Sequence, residues 1–302
     1  MPESGKARRE KPTGTAAANL SPGKALLKVL SSHHLVCLGA VMLAALTLFS
    51  LVGPFFSPFD RDAVAVEKIQ EPPGDGHILG TDELGRDIFV RLAHGGRVSL
   101  SVGIIAMLIQ LVIGVTLGSA AGFYGGICDS LIMRITDVIM CFPFFVIALS
   151  VAALTGPSFR NVILIIGLLR WPSMARVVRS GTLALKNSEF IEAARALGLT
   201  QPEIIFRHIL PNSIGPIIVS GTLNVAYAVL LEASLSFLGL GIAPPQPSWG
   251  TMLSAAQSMS ILQKCWWIWM PPGTMVLLVV LSINFIGEGL SEIFSPLGRK
   301  AS

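Results

Sequence analysis

The residues able to do chemistry are few and stand apart. The single Gly-Lys pair, Gly23-Lys24, is followed by Ala25, so G-x-x-x-x-G-K-[ST], whose backbone N–H groups cradle a nucleotide's phosphates, does not occur. Neither H-E-x-x-H nor G-x-S-x-G occurs, and no pair of carboxylates falls inside an apolar run. Cys37, Cys128, Cys141 and Cys265 are far apart and form no C-x-x-C, which indicates neither a zinc site nor a disulfide framework. His33, His34, His77, His94 and His208 are expected outside the apolar runs, so no metal site is expected within them. One acid differs from the rest. Glu232 sits near the middle of an apolar run, where a carboxylate is costly unless it faces a partner or a water-filled path. A structural or gating role, direct contact with a solute on a translocation path, and a tolerated protonated side chain are all open to it.

The elements that must hold these residues follow from composition. Of 302 residues, 52% are hydrophobic and 13% are charged, with a mean hydropathy of +0.69; a soluble domain carries roughly 25% charged residues. A bilayer span needs about 20 mainly apolar residues, and several uncharged stretches reach that length. The expected fold class is therefore all-α, a polytopic membrane protein with six transmembrane helices. The net charge of +4 is scattered between the apolar runs and builds no nucleic-acid-binding module, so no nucleic acid partner is expected.

Residues 1–34 read as a disordered tail and 35–56 as the first span, with no A-x-A-like site after it to mark a cleaved signal. Residues 57–97 are too polar to cross. Five further spans lie within 98–290: 98 to about 122, 138–159, 161 to the arginines at 170, 176 and 179, 213–241 and 265–287. The fourth must end near those arginines. Gly114, Gly118 and Gly122, continued by Gly126, make a stripe at four-residue spacing that lets another helix approach closely. Trp266, Trp267 and Trp269 at the start of the sixth fit an interfacial belt.

Six spans place both termini on one side, and the charges test this. Fifteen of the 22 basic residues then lie inside, and in the loop 57–97 eight acids outnumber five bases. Positive charge faces the cytoplasm, so both termini, the last being 291–302, and the loop 180–212 are expected there. The location is the cell membrane.

The loop 180–212 reads as two short helices with a break between them. Ser188 is the candidate N-cap of the first, with Glu189 and Glu192 at its positive end. Phe190, Ala193, Ala194 and Leu197 are expected on one face, and Gly198 follows as the glycine that ends the helix with φ > 0. Thr200 and Glu203 then match the capping box, Pro202 lies in the first turn, Leu199 and Ile204 take the staple positions, and Pro211 is expected to stop the helix.

Glu192-Ala193-Ala194, then Gly198, then Leu210-Pro211, resembles the E-A-A…G…I-x-L-P signature of ABC importer permeases. His208 departs from it where the isoleucine usually stands, with Ile209 beside it. Residues 79–100 and 231–253 resemble segments of the dipeptide, oligopeptide and nickel branch, and the resemblance, from about 35 to 295, is to its C-type subunit. It implies a membrane-spanning half of a translocation path for di- or oligopeptides, no enzyme and no cofactor, with nickel or another small solute as the alternative cargo. It also implies partners: a homologous B-type permease, two ATP-binding ATPase subunits and an extracytoplasmic substrate-binding protein. Glu192, Ala193, Ala194, Gly198, Thr200, Glu203, Leu210 and Pro211 would form the loop that couples to the ATPase. An ion-gradient-driven transporter is the competing class, but no internal repeat supports it.

Overall fold

The computed structural model describes residues 34–74 and 76–294. The readings of the two termini therefore lie largely outside the described residues. The helices are α1 (His34–Val52), α2 (Ile88–Tyr124), α3 (Gly126–Cys141), α4 (Phe144–Thr155), α5 (Phe159–Leu185), α6 (Glu189–Ala196), α7 (Gln201–Glu203), α8 (Leu210–Asn212), α9 (Ile214–Phe237), α10 (Trp249–Leu253), α11 (Met259–Lys264) and α12 (Trp266–Phe294). α1, α2, α5, α9 and α12 are long and apolar enough to cross a membrane.

The sixth expected crossing is a bent pair. α3 and α4 together pass the same test but meet at 83°. A straight span over 138–159 was the expectation, and Pro143 overrides it. Proline carries no N–H and forces its predecessor out of the helical region, and Phe142 is extended at φ −89°, ψ 137°.

α2 also corrects its expected start at Val98, because it begins at Ile88. The Asp87 carboxylate accepts the Val90 N–H at 2.9 Å and is itself held by His77 Nδ1 at 2.8 Å. The charges that made residues 88–97 look like loop are absorbed by neighbours. Arg91 lies 3.4 Å from both Asp62 and Asp82. Arg97 donates to the carbonyls of Ser50 and Leu51 at 2.8 and 2.6 Å, closing the end of α1.

α5 is likewise longer than expected. Its helix does not end at the arginines but runs on to Leu185, since Arg176 pairs with Asp137 at 2.7 Å and Arg179 with Asp129 at 2.5 Å, both on α3. The glycine stripe of α2 meets α5 as the spacing required. A Cβ on Gly114 would sit 2.5 Å from Met174, on Gly118 2.5 Å from the Ala175 carbonyl, and on Gly122 2.7 Å from Thr182. Gly126 does not continue the stripe: with Gly125 it turns the chain at φ +52° and +67°.

Candidate functional site

Two places gather the residues singled out by sequence. The first is the segment 186–213 between α5 and α9. Ser188 occupies the N-cap position of α6, but its hydroxyl donates to the Leu185 carbonyl at 2.6 Å and so does not cap. Its main-chain oxygen instead accepts the Ile191 and Glu192 N–H groups at 2.9 and 3.1 Å.

The face expected of Phe190, Ala193, Ala194 and Leu197 divides. Ala194 turns inward with Ile191, which is fully buried among Phe123, Ile204, Ile205 and Ile209. Phe190 and Leu197 are 42% and 80% exposed, and Ala193 and Glu192 share that open side. The reason is periodicity: Ile191 and Ala194 are three apart and define the inner stripe, which puts Phe190, Ala193 and Leu197 beside it and outward. Ile191, missed from sequence, anchors the helix and could have been found as the β-branched residue three before Ala194.

Gly198 stands at φ +80° and ends α6 as expected. The Leu199 N–H returns to the Ala194 carbonyl at 3.2 Å and the Gly198 N–H to Arg195 at 3.0 Å, which serves the last carbonyls of the helix. Beyond it, the Glu203 carboxylate accepts from the Thr200 N–H at 3.1 Å and from its hydroxyl at 2.9 Å. Those bonds, the backbone one first, hold Glu203 below the usual carboxylate range. Whatever the cap contributes is thus present above that range and fades as the pH falls through the lowered value.

Pro211 does not stop the second helix. A π-helical stretch, Ile204–Ile209, leads straight into Leu210–Asn212. The Leu210 N–H reaches back five residues to Ile205, so the wider turn admits Pro211 early in the following turn, where no N–H is required. The chain turns at Ser213 instead, whose N–H meets Ile209 and Leu210 at 3.0 and 3.1 Å. Ile209 is fully buried whereas His208 is half-buried, so the isoleucine beside the departing position supplies the core contact.

The second place surrounds Glu232, 0% exposed on α9. Its Oε2 accepts from Ser99 of α2 at 2.8 Å and its Oε1 from Ser236 at 2.7 Å. Ser99 in turn accepts the Trp249 N–H at 3.2 Å, and the Trp249 indole donates to the Leu92 carbonyl at 3.0 Å. The carboxylate thereby ties α2, α9 and α10 together and is wholly buried among the described residues. Ser99 and Trp249 were not anticipated, because nothing in local sequence brings positions 99, 232 and 249 together.

Residues 114–300 match the model of the binding-protein-dependent transport system inner membrane component, and residues 21–73 that of the N-terminal TM domain of oligopeptide transport permease C. The chain belongs to this family of transport permeases. The dipeptide transport system permease protein DppC of Alkalihalophilus pseudofirmus is 39% identical to the permease over 277 residues, spanning 92% of this chain and 90% of that one. A putative peptide permease of Brucella suis is 40% identical over 258 residues, 85% of each chain. Among solved structures, the MetNI methionine ABC transporter in an inward-facing conformation shares the fold at a TM-score of 0.55 and 18% identity, over 66% of this chain and 93% of that chain. The permease is thus a multi-pass, membrane-spanning subunit of an ABC importer. Such a subunit works with a further permease, an ATPase and a substrate-binding protein.

Proposed function

We propose that the permease is the C-type half of a peptide importer's membrane path, coupled to two ATP-binding subunits through the segment 186–213. The observation that carries this reading is the open face of Phe190, Ala193 and Leu197 beside Glu192, presented on a helix whose inner side is pinned by Ile191. A short amphipathic helix with small and apolar residues outward suits a groove on another protein. Glu192, Ala193 and Gly198 face or turn that surface, while Ala194, Thr200, Glu203, Leu210 and Pro211 hold it in place. The excess of basic residues around this segment supports a cytoplasmic placement, with both termini on the same side. With no phosphate-cradling loop, the permease takes its energy from the ATPase and catalyses no reaction itself. A homologous B-type permease would supply the second coupling segment. Peptide cargo is supported by the names of the relatives, and a substrate-binding protein would deliver it. Glu232 acts in this scheme as a brace that keeps α10 against the spans.

The test is ATP-dependent uptake of a labelled dipeptide into proteoliposomes holding both permeases and the ATPases, with binding protein added outside. Uptake should require ATP and the binding protein. Accumulation driven by a proton gradient without ATP would overturn the coupling reading, and uptake of a nickel chelate with none of dipeptide would overturn the cargo.

A further inference from the structure

A cleft between the spans, distinct from both places described above, carries two polar groups that lack the partner their chemistry calls for. It has a volume of about 560 Å³ and lies between α5, α9 and α12. Among mainly apolar walls, its polar lining is Arg170, Ser173, Ser220, Asn224, Tyr227 and, at the end of α12, Ser291. Arg170 is eleven residues into α5 and Asn224 ten residues into α9, about 15 Å along each helix at 1.5 Å per residue. Measured from the helix starts, that is about half the thickness of a hydrocarbon core of about 30 Å.

Arg170 is the cation here without an acid. Arg176 and Arg179 on the same helix take Asp137 and Asp129, whereas among the described residues Arg170 makes no ion pair. Its guanidinium carbon lies 5.3 Å from the centre of the half-exposed Tyr227 ring. A ring face attracts a cation but leaves its N–H donors in the ring plane unused. Independently, Asn224 is 6% exposed and its Nδ2 has no acceptor. Buried donors are nearly always met, and an arginine at this depth faces a partner or a water-filled path. The two unmet groups are both donors, their residues line one cleft, with the Asn224 amide set just behind its wall, and one of them is positively charged. What completes them is an anionic acceptor with two oxygens, the chemistry of a carboxylate.

Resting on the peptide reading above, we propose that Arg170 and Asn224 form a carboxylate-recognition point on the translocation path, taking the C-terminal carboxylate of a peptide in transit. Tyr227 holds the guanidinium flat against the wall of the cleft, and Ser173 and Ser220 keep that wall hydrated.

The assembled transporter, with its partner permease and ATPases, tests this in proteoliposomes. Uptake is measured for a labelled dipeptide and for its C-terminal amide, each loaded onto the binding protein beforehand. The ratio of variant to wild-type rate for each ligand then cancels the selectivity of the binding protein. Arg170→Gln should lower the ratio about tenfold for the acid and less than twofold for the amide. Arg170→Lys, which keeps the charge, should leave the acid within about threefold, and it serves also where the glutamine variant fails to assemble. Equal losses for acid and amide in either variant would mean that Arg170 pairs with another subunit or with lipid, and would overturn the proposal. Wild-type rates unaffected by either change would overturn it too. If the wild type carries neither peptide, the cargo reading itself has failed and this inference falls with it.

Discussion

At Gly198 the side chain that is missing matters more than any that is present. Its φ of +80° suits glycine, and beyond its chain neighbours no described atom lies within 4 Å of where a Cβ would be, so the strain of substitution is local to the backbone. A β-carbon in this region costs about 1–2 kcal/mol, and branching adds to it. Gly198→Val should therefore insert normally but tilt α6 relative to the Thr200 cap, with weakened ATPase retention and little substrate-stimulated hydrolysis. Gly198→Ala should be milder. Transport by the valine variant at the wild-type rate, with the ATPase fully retained, would remove the turn from the coupling route. Glu232 makes the opposite case, a side chain with everything around it. Glu232→Gln keeps an acceptor and a shape that the Ser99 and Ser236 hydroxyls can rotate to meet. Glu232→Leu strands both, at about 1–3 kcal/mol for each unmet group. Thermal unfolding in detergent should rank the glutamine variant close to wild type and the leucine variant well below it. Equal melting of all three would show that the brace carries no stability.

The α2–α5 pair shows how an element is fixed by what its surface omits. At Gly118 a Cβ would lie 2.5 Å from the Ala175 carbonyl, main chain that cannot swing aside, while at Gly221 on α9 the nearest atom is 3.8 Å away. Gly118→Ala should thus cost about 1–3 kcal/mol by forcing the helices apart. Gly221→Ala should be neutral or stabilising by up to about 1 kcal/mol, the helical advantage of alanine over glycine. Detergent melting curves of the two variants check the contrast, and a reversed order would mean that the stripe is not the seam. The bend between α3 and α4 belongs to the same scale. Its hydropathy reads as one span, and only the preference of the residue before a proline turns it through 83°.

For the whole molecule, the arrangement of charge predicts orientation. On a background with the four native cysteines replaced, a cysteine at Glu83 should react with a membrane-impermeant thiol reagent in intact cells, and one at Arg195 should not. Both positions are exposed, so accessibility within the chain does not bias the result. The reverse pattern would place the segment 186–213 away from the ATPase and end the coupling proposal. Purification in mild detergent should retain a second permease chain and the ATPase with this one. Transport by the chain reconstituted alone would exclude that assembly.

Sequence alone determined what depends on neighbours along the chain. The helical class, five of the crossings, the cap of Thr200 by Glu203 and the turn at Gly198 all rest on local periodicity, local hydropathy or a backbone angle that one residue type favours. The glycine stripe was legible too, because a four-residue spacing already implies a partner helix, though not which one. Tertiary structure decided what depends on distant partners. Asp137 and Asp129 let α5 continue past arginines that read as its end, and Asp62 and Asp82 let α2 begin ten residues early. Ile191 rather than Phe190 became the inner face of α6 because Phe123 and Ile209 wait on that side. Glu232 found Ser99 133 positions away, and Arg170 found only an aromatic ring. Whether a charge ends a helix, braces it or awaits a ligand is set by the groups brought opposite it, and spacing along one chain does not carry that information.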